Sequence, residues 1–190
     1  MNEFELRILD FIRENIACPV LDSIVIVLTK LGNGGVLWIA LAFVFLFFKK
    51  TRKMGITMGV ALIAGVFFIN LIVKNAVCRI RPYDLNPGIQ LIVERLSDYS
   101  FPSGHALSCF EASVVMLKYD KRFGIPAIIV GSLIALSRMY LYVHYPSDVL
   151  AGAIFGIIIA LISCWLSDKY YTPVYSFFED KIKARFQKKN

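Results

Sequence analysis

The feature that most constrains this sequence is a series of long apolar stretches, which a water-soluble domain could not cover. One of them runs from Gly55 to Val73 without a charged side chain; together they lie at about residues 17–31, 34–48, 55–77, 104–118, 124–143 and 147–167. A helix needs about 20 apolar residues to cross a bilayer, with a range of about 17–25. The pattern predicts an all-α polytopic membrane protein with about six transmembrane helices, the first being the least regular because Asp22 interrupts it.

The composition agrees with a bilayer as the solvent. Hydrophobic residues make up 57% of the chain and charged residues 18%, against about 25% charged in an average soluble domain. The 190 residues predict a single domain over 1–190. The net charge of +7 is not gathered on a polar domain, so nucleic-acid binding is not expected. The four cysteines are widely spaced, which disfavours a disulfide framework or a zinc site.

The N-terminal segment has an amphipathic pattern. Residues 4–16 place apolar side chains at helical spacing with charges between them, which predicts an interfacial helix; a cytosolic helical cap is the alternative. Acidic residues outnumber basic ones here, unlike the start of a cleavable signal peptide, so the first apolar stretch is expected to remain as an anchor.

The basic residues predict the orientation in the membrane. They concentrate in residues 49–53, in residues 118–122 and in a tail from about residue 169, and the positive-inside rule makes these segments cytoplasmic. The turn near 32, the loop 78–103 and the turn 144–147 then face the extracytoplasmic side of the cell membrane. If the first apolar stretch only lies on the surface, the N-terminus changes side but the later loops do not.

A first polar cluster occupies residues 74–82. Lys74 and Arg81 are seven residues apart, so on a helix they share a face and can clamp an anion. Arg79 is predicted to point to a different face. In the alternative interpretation, Lys74 snorkels to the interface and Arg81 is a plain loop charge.

A second cluster opens the fourth apolar stretch. Pro102 and Ser103 suit a helix start, and Gly104 lets the backbone approach a ligand. Free N–H groups at a helix N-terminus bind phosphate well, and His105 would sit beside that phosphate. A simple helix cap followed by a surface histidine is the alternative.

A third cluster occupies residues 137–148. Arg138 lies in or near the hydrocarbon region, where an isolated cation is costly and needs a partner. Asp148 follows His144 by four residues, close enough to accept an imidazole N–H, as a nucleophile or base requires. A structural role is the alternative for each residue. The three clusters are nevertheless predicted to reach the same membrane face.

These residues resemble the type 2 phosphatidic-acid phosphatases, which share their site with the vanadium haloperoxidases. The signature K-x6-RP, PSGH and SR-x5-H-x3-D is filled at 74–82, 102–105 and 137–148. The resemblance implies a metal-independent phosphatase without a cofactor. Haloperoxidase activity is not expected, because those relatives are soluble.

The resemblance also implies a role for each site residue. His144 would attack phosphorus to form a phosphohistidine, with Asp148 fixing its tautomer. His105 would protonate the departing oxygen and then activate water. The phosphoryl oxygens would be bound by Lys74, Arg81, Arg138, Ser103 and backbone N–H groups near Gly104.

The implied partners are a lipid phosphate substrate and the membrane lipids. Similar short bacterial enzymes act on undecaprenyl diphosphate, phosphatidylglycerophosphate or phosphatidate, and undecaprenyl diphosphate is slightly favoured. Apolar side chains of the loop 83–101 could line the lipid entrance. The sequence carries no indication of oligomeric state.

Two further interpretations stay open. Glu111 lies about mid-span in the fourth apolar stretch; it could pair with Asn70 or Lys74, or it could indicate a transport or non-catalytic protein that retains a phosphate site. Alternatively, His105, His144 and Asp148 could be metal ligands. Asp98 is predicted to be a solvated loop charge.

Overall fold

A computed structural model describes the backbone of residues 2–86 and 88–187 and the side chains of residues 3–86 and 88–172. The described part is helical and contains no strand. Its α-helices are α1 (Asn2–Asn15), α2 (Pro19–Gly32), α3 (Val36–Leu46), α4 (Arg52–Phe67), α5 (Lys74–Val77), α6 (Pro82–Leu85), α7 (Gly104–Tyr119), α8 (Lys121–Tyr140) and α9 (Pro146–Gln187).

Four helical segments of the described residues are long and apolar enough to cross a membrane: Pro19–Leu46, Arg52–Leu85, Lys121–Tyr140 and Pro146–Thr172. The first two apolar stretches form one interrupted candidate, and α7, with 16 residues, is shorter than the usual span. The all-α membrane architecture is confirmed, whereas six spans and an interfacial α1 remain predictions. The side chains of the basic tail beyond residue 172 lie outside the described part.

The turn between α2 and α3 is built on glycine. Gly34 and Gly35 have φ angles of 58° and 67°, a left-handed conformation that costs glycine little and other residues more. The Asn33–Gly35 3₁₀ turn therefore redirects the chain. It brings Asn33 to the start of α7, where its Oδ1 lies 2.9 Å from Nε2 of His105.

The end of the α4 segment differs from the prediction. A π-helical stretch, Phe68–Val73, joins α4 to α5, and α5 ends at Val77 because Cys78 adopts a left-handed conformation with φ 49°. The expectation that Lys74 and Arg81 share one helix face is therefore wrong. Arg81 lies after the non-helical segment that follows α5, so it is not on the same helix as Lys74.

Helices α7 and α9 pack closely through glycines. A Cβ atom at Gly152 would lie 2.4 Å from the carbonyl oxygen of Ser103, and one at Gly156 would lie 2.5 Å from that of Leu107. Small residues at this spacing let two membrane helices approach backbone to backbone. The starts of the two helices are also joined, since Ser103 N donates to the carbonyl of Asp148 at 3.0 Å.

Helices α1 and α2 pack against the segment that joins α8 to α9. Leu9 is fully buried in an apolar cluster with Tyr140, Tyr142 and Tyr145. The hydroxyl of Tyr142 donates to Asp10 at 2.6 Å. These contacts place the N-terminal helices at the end of the bundle that carries His144.

Candidate active site

The three polar clusters meet at one cavity. A cavity of about 630 Å³ is lined by at least one residue from each cluster, namely Lys74, Arg81, Gly104, His105 and His144. Its remaining wall is largely apolar and comes from α3 and α4. The predicted convergence of the clusters is thus present in the fold.

Asp98 is the acidic partner of two cations in the first cluster. It forms an ion pair with Lys74, and its Oδ1 accepts a bond from Arg81 Nη2 at 2.6 Å. Burial by itself raises the pKa of Asp98, but the bonds and charges of Lys74 and Arg81 outweigh it and lower the pKa to about 2. The interpretation of Asp98 as a solvated loop charge is correct for its position, since the side chain is 48% exposed, but it missed the ion pairs with Lys74 and Arg81.

Arg81 is held by hydrogen bonds beside the imidazole of His144. Its side chain is 3% exposed, and it donates from Nε to the carbonyl of Asp98 at 2.8 Å and from Nη1 to that of Val143 at 2.7 Å. The same Nη1 lies 3.4 Å from Nε2 of His144. A phosphoryl group at this ring nitrogen would therefore lie within reach of the guanidinium.

His144 and Asp148 are neighbours, but the expected hydrogen bond between them is not formed, since Nδ1 of His144 has no hydrogen-bond partner among the described residues. Nδ1 of His144 lies 3.6 Å from Oδ2 of Asp148, and both side chains are buried. The pKa of His144 is lowered to about 4: burial is the largest cause, the charges of Arg81 and Arg138 act in the same direction, and Asp148 opposes them. The ring is thus neutral at physiological pH, which leaves a lone pair for attack.

The start of α7 faces the cavity through its backbone. A Cβ atom added at Gly104 would have no neighbour within 4 Å, so the cavity extends to the peptide groups there. Ser103 is fully buried, and its Oγ caps the helix by accepting from Ala106 N at 3.4 Å. Contact between the Ser103 hydroxyl and substrate remains a prediction.

Arg138 borders a neighbouring cavity. It is 3% exposed and donates to the hydroxyl of Thr29, and its Nε has no hydrogen-bond partner among the described residues. The cavity that it lines has a volume of about 710 Å³ and includes Lys30 and Asn33. Leu96 lines both cavities. Arg138 therefore does not line the cavity that holds the two histidines, but the cavity beside it.

Comparison with known proteins identifies the family. The model of the PAP2 superfamily matches residues 53–171, which contain all three clusters. The chain belongs to the PAP2 superfamily.

Relatives of this PAP2 chain support the assignment. An undecaprenyl-diphosphatase of Sulfolobus acidocaldarius is 34% identical over 75% of this chain and 69% of the relative. The undecaprenyl-diphosphatase BcrC of Bacillus subtilis is 31% identical over 78% of this chain and 76% of the relative. The crystal structure of LpxE from Aquifex aeolicus is 30% identical, with a TM-score of 0.70 over 84% of this chain and 93% of that chain.

The PAP2 assignment confirms the enzyme class. The chain is a membrane lipid phosphatase, and the metal-independent chemistry of its superfamily applies to it. Within the described residues, His105, His144 and Asp148 do not form a cluster of side chains able to hold a metal ion. The roles of individual site residues remain predictions.

Arg79 is a site residue that the sequence interpretation missed. Its Nη1 donates to Oδ1 of Asp148 and its Nη2 to Oε2 of Glu5, each at 2.5 Å. Its guanidinium carbon also lies 3.9 Å from the ring centroid of Tyr145. The available signal was its spacing of two from Arg81, since alternate residues of a non-helical segment can face the same way.

Asn33 was also missed, because no sequence pattern links it to His105, 72 residues further along the chain. Gly32 supports the same contact: a Cβ atom there would lie 2.7 Å from Cδ2 of His105. The 3₁₀ turn therefore fixes the imidazole ring from the side of α2.

Glu111 lies apart from the site. It is fully buried in α7, neither carboxylate oxygen has a hydrogen-bond partner among the described residues, and it lines neither cavity. Neither of the two possible pairings, with Asn70 or with Lys74, is formed, and Lys74 bonds to Asp98 instead. Glu111 instead packs against α4, where a Cβ atom at Gly65 would overlap its carboxylate.

Proposed function

We propose that this PAP2 phosphatase removes a terminal phosphate from a long-chain lipid phosphate or diphosphate through a phosphohistidine on His144. The observation that carries the proposal is the two-part cavity. Lys74, Arg81 and the two histidines lie at one end, and apolar side chains that include Ile39, Ile63 and Val66 line the other. Such a shape suits a ligand with an anionic head and a hydrocarbon chain.

In the first step, the Nε2 lone pair of His144 attacks phosphorus, a P–N bond forms, and the bond from phosphorus to the leaving oxygen breaks. Asp148 accepts a hydrogen bond from Nδ1–H of His144 and stabilises the imidazolium that forms. His105, in its protonated imidazolium form, gives its proton to the leaving oxygen and becomes neutral, so the lipid departs as a neutral alcohol or as a monophosphate.

In the second step, His105 removes a proton from water, the water oxygen attacks phosphorus, and the P–N bond breaks to release inorganic phosphate. Phosphoryl transfer depends mainly on positioning and on neutralising the equatorial oxygens. Lys74 and Arg81 supply that neutralisation once the substrate phosphate displaces Asp98. Arg138 supports it from the neighbouring cavity.

The preferred substrate is a long-chain isoprenoid diphosphate such as undecaprenyl diphosphate. The apolar wall reaches from Lys74 down to Gly59, about 20 Å along the helix axis at 1.5 Å per residue. That length accommodates a substantial part of a long chain. The relatives in Sulfolobus acidocaldarius and Bacillus subtilis carry the name of this activity. Phosphatidylglycerophosphate and phosphatidate are the competing substrates.

The site is proposed to face the extracytoplasmic side of the cell membrane, with the C-terminus in the cytoplasm. The basic segments 49–53 and 118–122 lie at the other end of the bundle, as two contacts show. Phe45 packs on Phe123 with 5.2 Å between ring centroids, and Lys53 bonds to Asp168 at 2.5 Å. This charge distribution supports the orientation through the positive-inside rule.

The test is phosphate release by purified protein in detergent. The substrates are undecaprenyl diphosphate, phosphatidylglycerophosphate, phosphatidate and, as a water-soluble control, p-nitrophenyl phosphate. We expect the highest kcat/KM for the isoprenoid diphosphate and a loss of several orders of magnitude in His144→Ala. Full activity in His144→Ala would exclude the mechanism, and no release from any substrate would favour the transport or non-catalytic alternative.

Two additions separate the remaining alternatives. Activity should persist in excess EDTA; activity lost there and restored by a divalent ion would support the metal-ligand interpretation. A ³²P-labelled substrate should leave an acid-labile label on the protein in His105→Ala, where hydrolysis of the intermediate is slowed, and no label in His144→Ala.

A further inference from the structure

The carboxylate of Asp148 is shared between two parts of the molecule. Its Oδ2 accepts from Ser100 Oγ at 2.5 Å and from Tyr145 N at 2.9 Å, and this oxygen is the one that faces His144. Its Oδ1 accepts from Arg79 at 2.5 Å. Arg79 is therefore the charged partner on the side of the carboxylate that faces away from the imidazole.

Arg79 is itself held by helix α1. Glu5 accepts from Arg79 Nη2 through Oε2 at 2.5 Å and from Ser147 N through Oε1 at 2.9 Å. Ser147 belongs to the first turn of α9, where a carboxylate also meets the positive end of the helix dipole. Glu5 thus binds both Arg79 and the start of the helix that carries Asp148.

Burial makes this arrangement sensitive to the loss of any member. Glu5 is 6% exposed and Asp148 is fully buried. Burial by itself raises the pKa of Glu5, but the bonds from Ser147 and Arg79 outweigh it and lower the pKa, so the carboxylate is ionised at neutral pH. Removing one member of a buried charge network leaves an uncompensated charge, which costs more than losing an exposed ion pair.

We propose that Arg79 and Glu5 are a positioning pair that fixes the carboxylate of Asp148 against His144, so that helix α1 completes the catalytic end of the molecule. This inference rests on the proposed function, in which Asp148 orients the nucleophile. Arg79 and Glu5 line neither cavity, so they act on the chemical step rather than on substrate binding.

The pair also tunes the field at His144. The charged and titratable groups around this ring come from several elements: Arg81 before α6, Arg138 in α8, Asp148 in α9, His105 in α7, and Lys74 with Asp98 beyond Arg81. Removing the positive charge of Arg79 strengthens the pull of Asp148 on an imidazolium, whereas removing the negative charge of Glu5 does the reverse. The two losses therefore shift the titration of the histidine in opposite directions.

The experiment compares kcat, KM and the pH profile of full-length Arg79→Gln and Glu5→Gln on the best lipid substrate of the panel. We expect Arg79→Gln to lower kcat by about ten- to hundredfold with KM changed by less than about twofold, as misplacement of a catalytic group does. Glu5→Gln should lower kcat by a smaller factor. The acid limb of kcat/KM should move to higher pH in Arg79→Gln and to lower pH in Glu5→Gln.

Matched controls come from the same elements. Arg95→Gln removes an exposed arginine that lies after α6 and pairs with Asp84 of α6, and Glu3→Gln removes an exposed acid of α1; both should behave as wild type. If Arg79→Gln does not fold, Arg79→Lys can replace it. Lysine keeps the positive charge but lacks the planar guanidinium that binds two partners at once, so it should recover part of kcat. The double variant Glu5→Gln/Arg79→Gln should be less impaired than the product of the single effects, because the two residues act together.

The outcomes separate the two proposals. An inactive His144→Ala with Arg79→Gln and Glu5→Gln indistinguishable from their controls would overturn the positioning pair and leave the proposed function intact. Acid limbs that move in the same direction in both variants would also overturn it. The proposal requires opposite shifts, whereas a general loss of structure does not depend on which charge is removed. Retained activity in His144→Ala would instead overturn the proposed function itself.

Discussion

Arg81 Nη2 lies 2.6 Å from Oδ1 of Asp98. A carboxylate of the protein therefore already accepts a hydrogen bond from a guanidinium that is predicted to bind phosphate. With its pKa lowered to about 2, Asp98 remains a carboxylate across the whole usable pH range. A phosphate that enters the cavity must compete with it. In the free protein this one carboxylate therefore offsets part of the positive charge of Lys74 and Arg81.

Asp98→Asn should strengthen inhibition by simple oxyanions. With the competing charge removed, the Ki of inorganic phosphate or vanadate is expected to fall by about three- to tenfold, equivalent to about 0.7–1.4 kcal/mol. Inhibition of lipid hydrolysis at constant ionic strength measures it. Asp84→Asn removes an exposed acid paired with Arg95 and serves as the control; a Ki that rises in Asp98→Asn would show that Asp98 assists binding.

The pH dependence of kcat/KM should reflect the buried imidazole. Only neutral His144 can attack, and burial together with Arg81 and Arg138 lowers its pKa from 6.5 to about 4. A lowered pKa means that the neutral form persists as the pH falls, so activity should be retained well below pH 6.5. A rate profile on the free-enzyme parameter kcat/KM reports this limb. An acid limb centred at 6.5 or above would contradict a lowered pKa at His144.

Gly59→Phe should discriminate between lipid and soluble substrates. A Cβ atom at Gly59 would have no neighbour within 4 Å, and Gly59 lines the apolar part of the cavity, so a phenyl ring can fill that space without displacing the backbone. We expect kcat/KM for the long-chain substrate to fall by about tenfold or more, while p-nitrophenyl phosphate is hydrolysed at the wild-type rate. Equal losses on both substrates would mean that the groove does not hold the chain.

Gly152→Val should damage the helix contact behind the site. Its Cβ atom would lie 2.4 Å from the carbonyl oxygen of Ser103, which is backbone and cannot move aside cheaply. Overpacking of this kind typically costs about 1–3 kcal/mol, and it pushes the start of α7 away from Asp148. We expect a lower Tm in detergent and a loss of activity. Leu150→Val, at a position with 62% exposure on the same helix, should change neither.

The clusters could be predicted because their spacing is local. His144 and Asp148 are four residues apart, and the polar groups of the three clusters stand out against apolar neighbours, so their function is visible in a short window of sequence. The helix end at Val77 could not be predicted, since Cys78 takes up a left-handed conformation that favours glycine.

The supporting residues depend on contacts between distant parts of the chain. Glu5 meets Ser147 across 142 residues and Asn33 meets His105 across 72, and no periodicity or motif encodes such pairs. Asp98 looked like one more polar residue of an exposed loop, because only the folded chain brings it to Lys74 and Arg81. The local motifs therefore predicted polar residues that meet at the cavity, whereas tertiary packing determines what holds them.

The docking of α1 on the segment between α8 and α9 affects how the protein should be produced. An affinity tag or fluorescent fusion joined directly to α1 would crowd the contact between Glu5 and Ser147, and a purified but inactive sample would be the result. A fusion placed after α9 avoids this, because Asp168 bonds to Lys53 at the far end of the bundle. Activity assays should accordingly use material tagged at the C-terminal end.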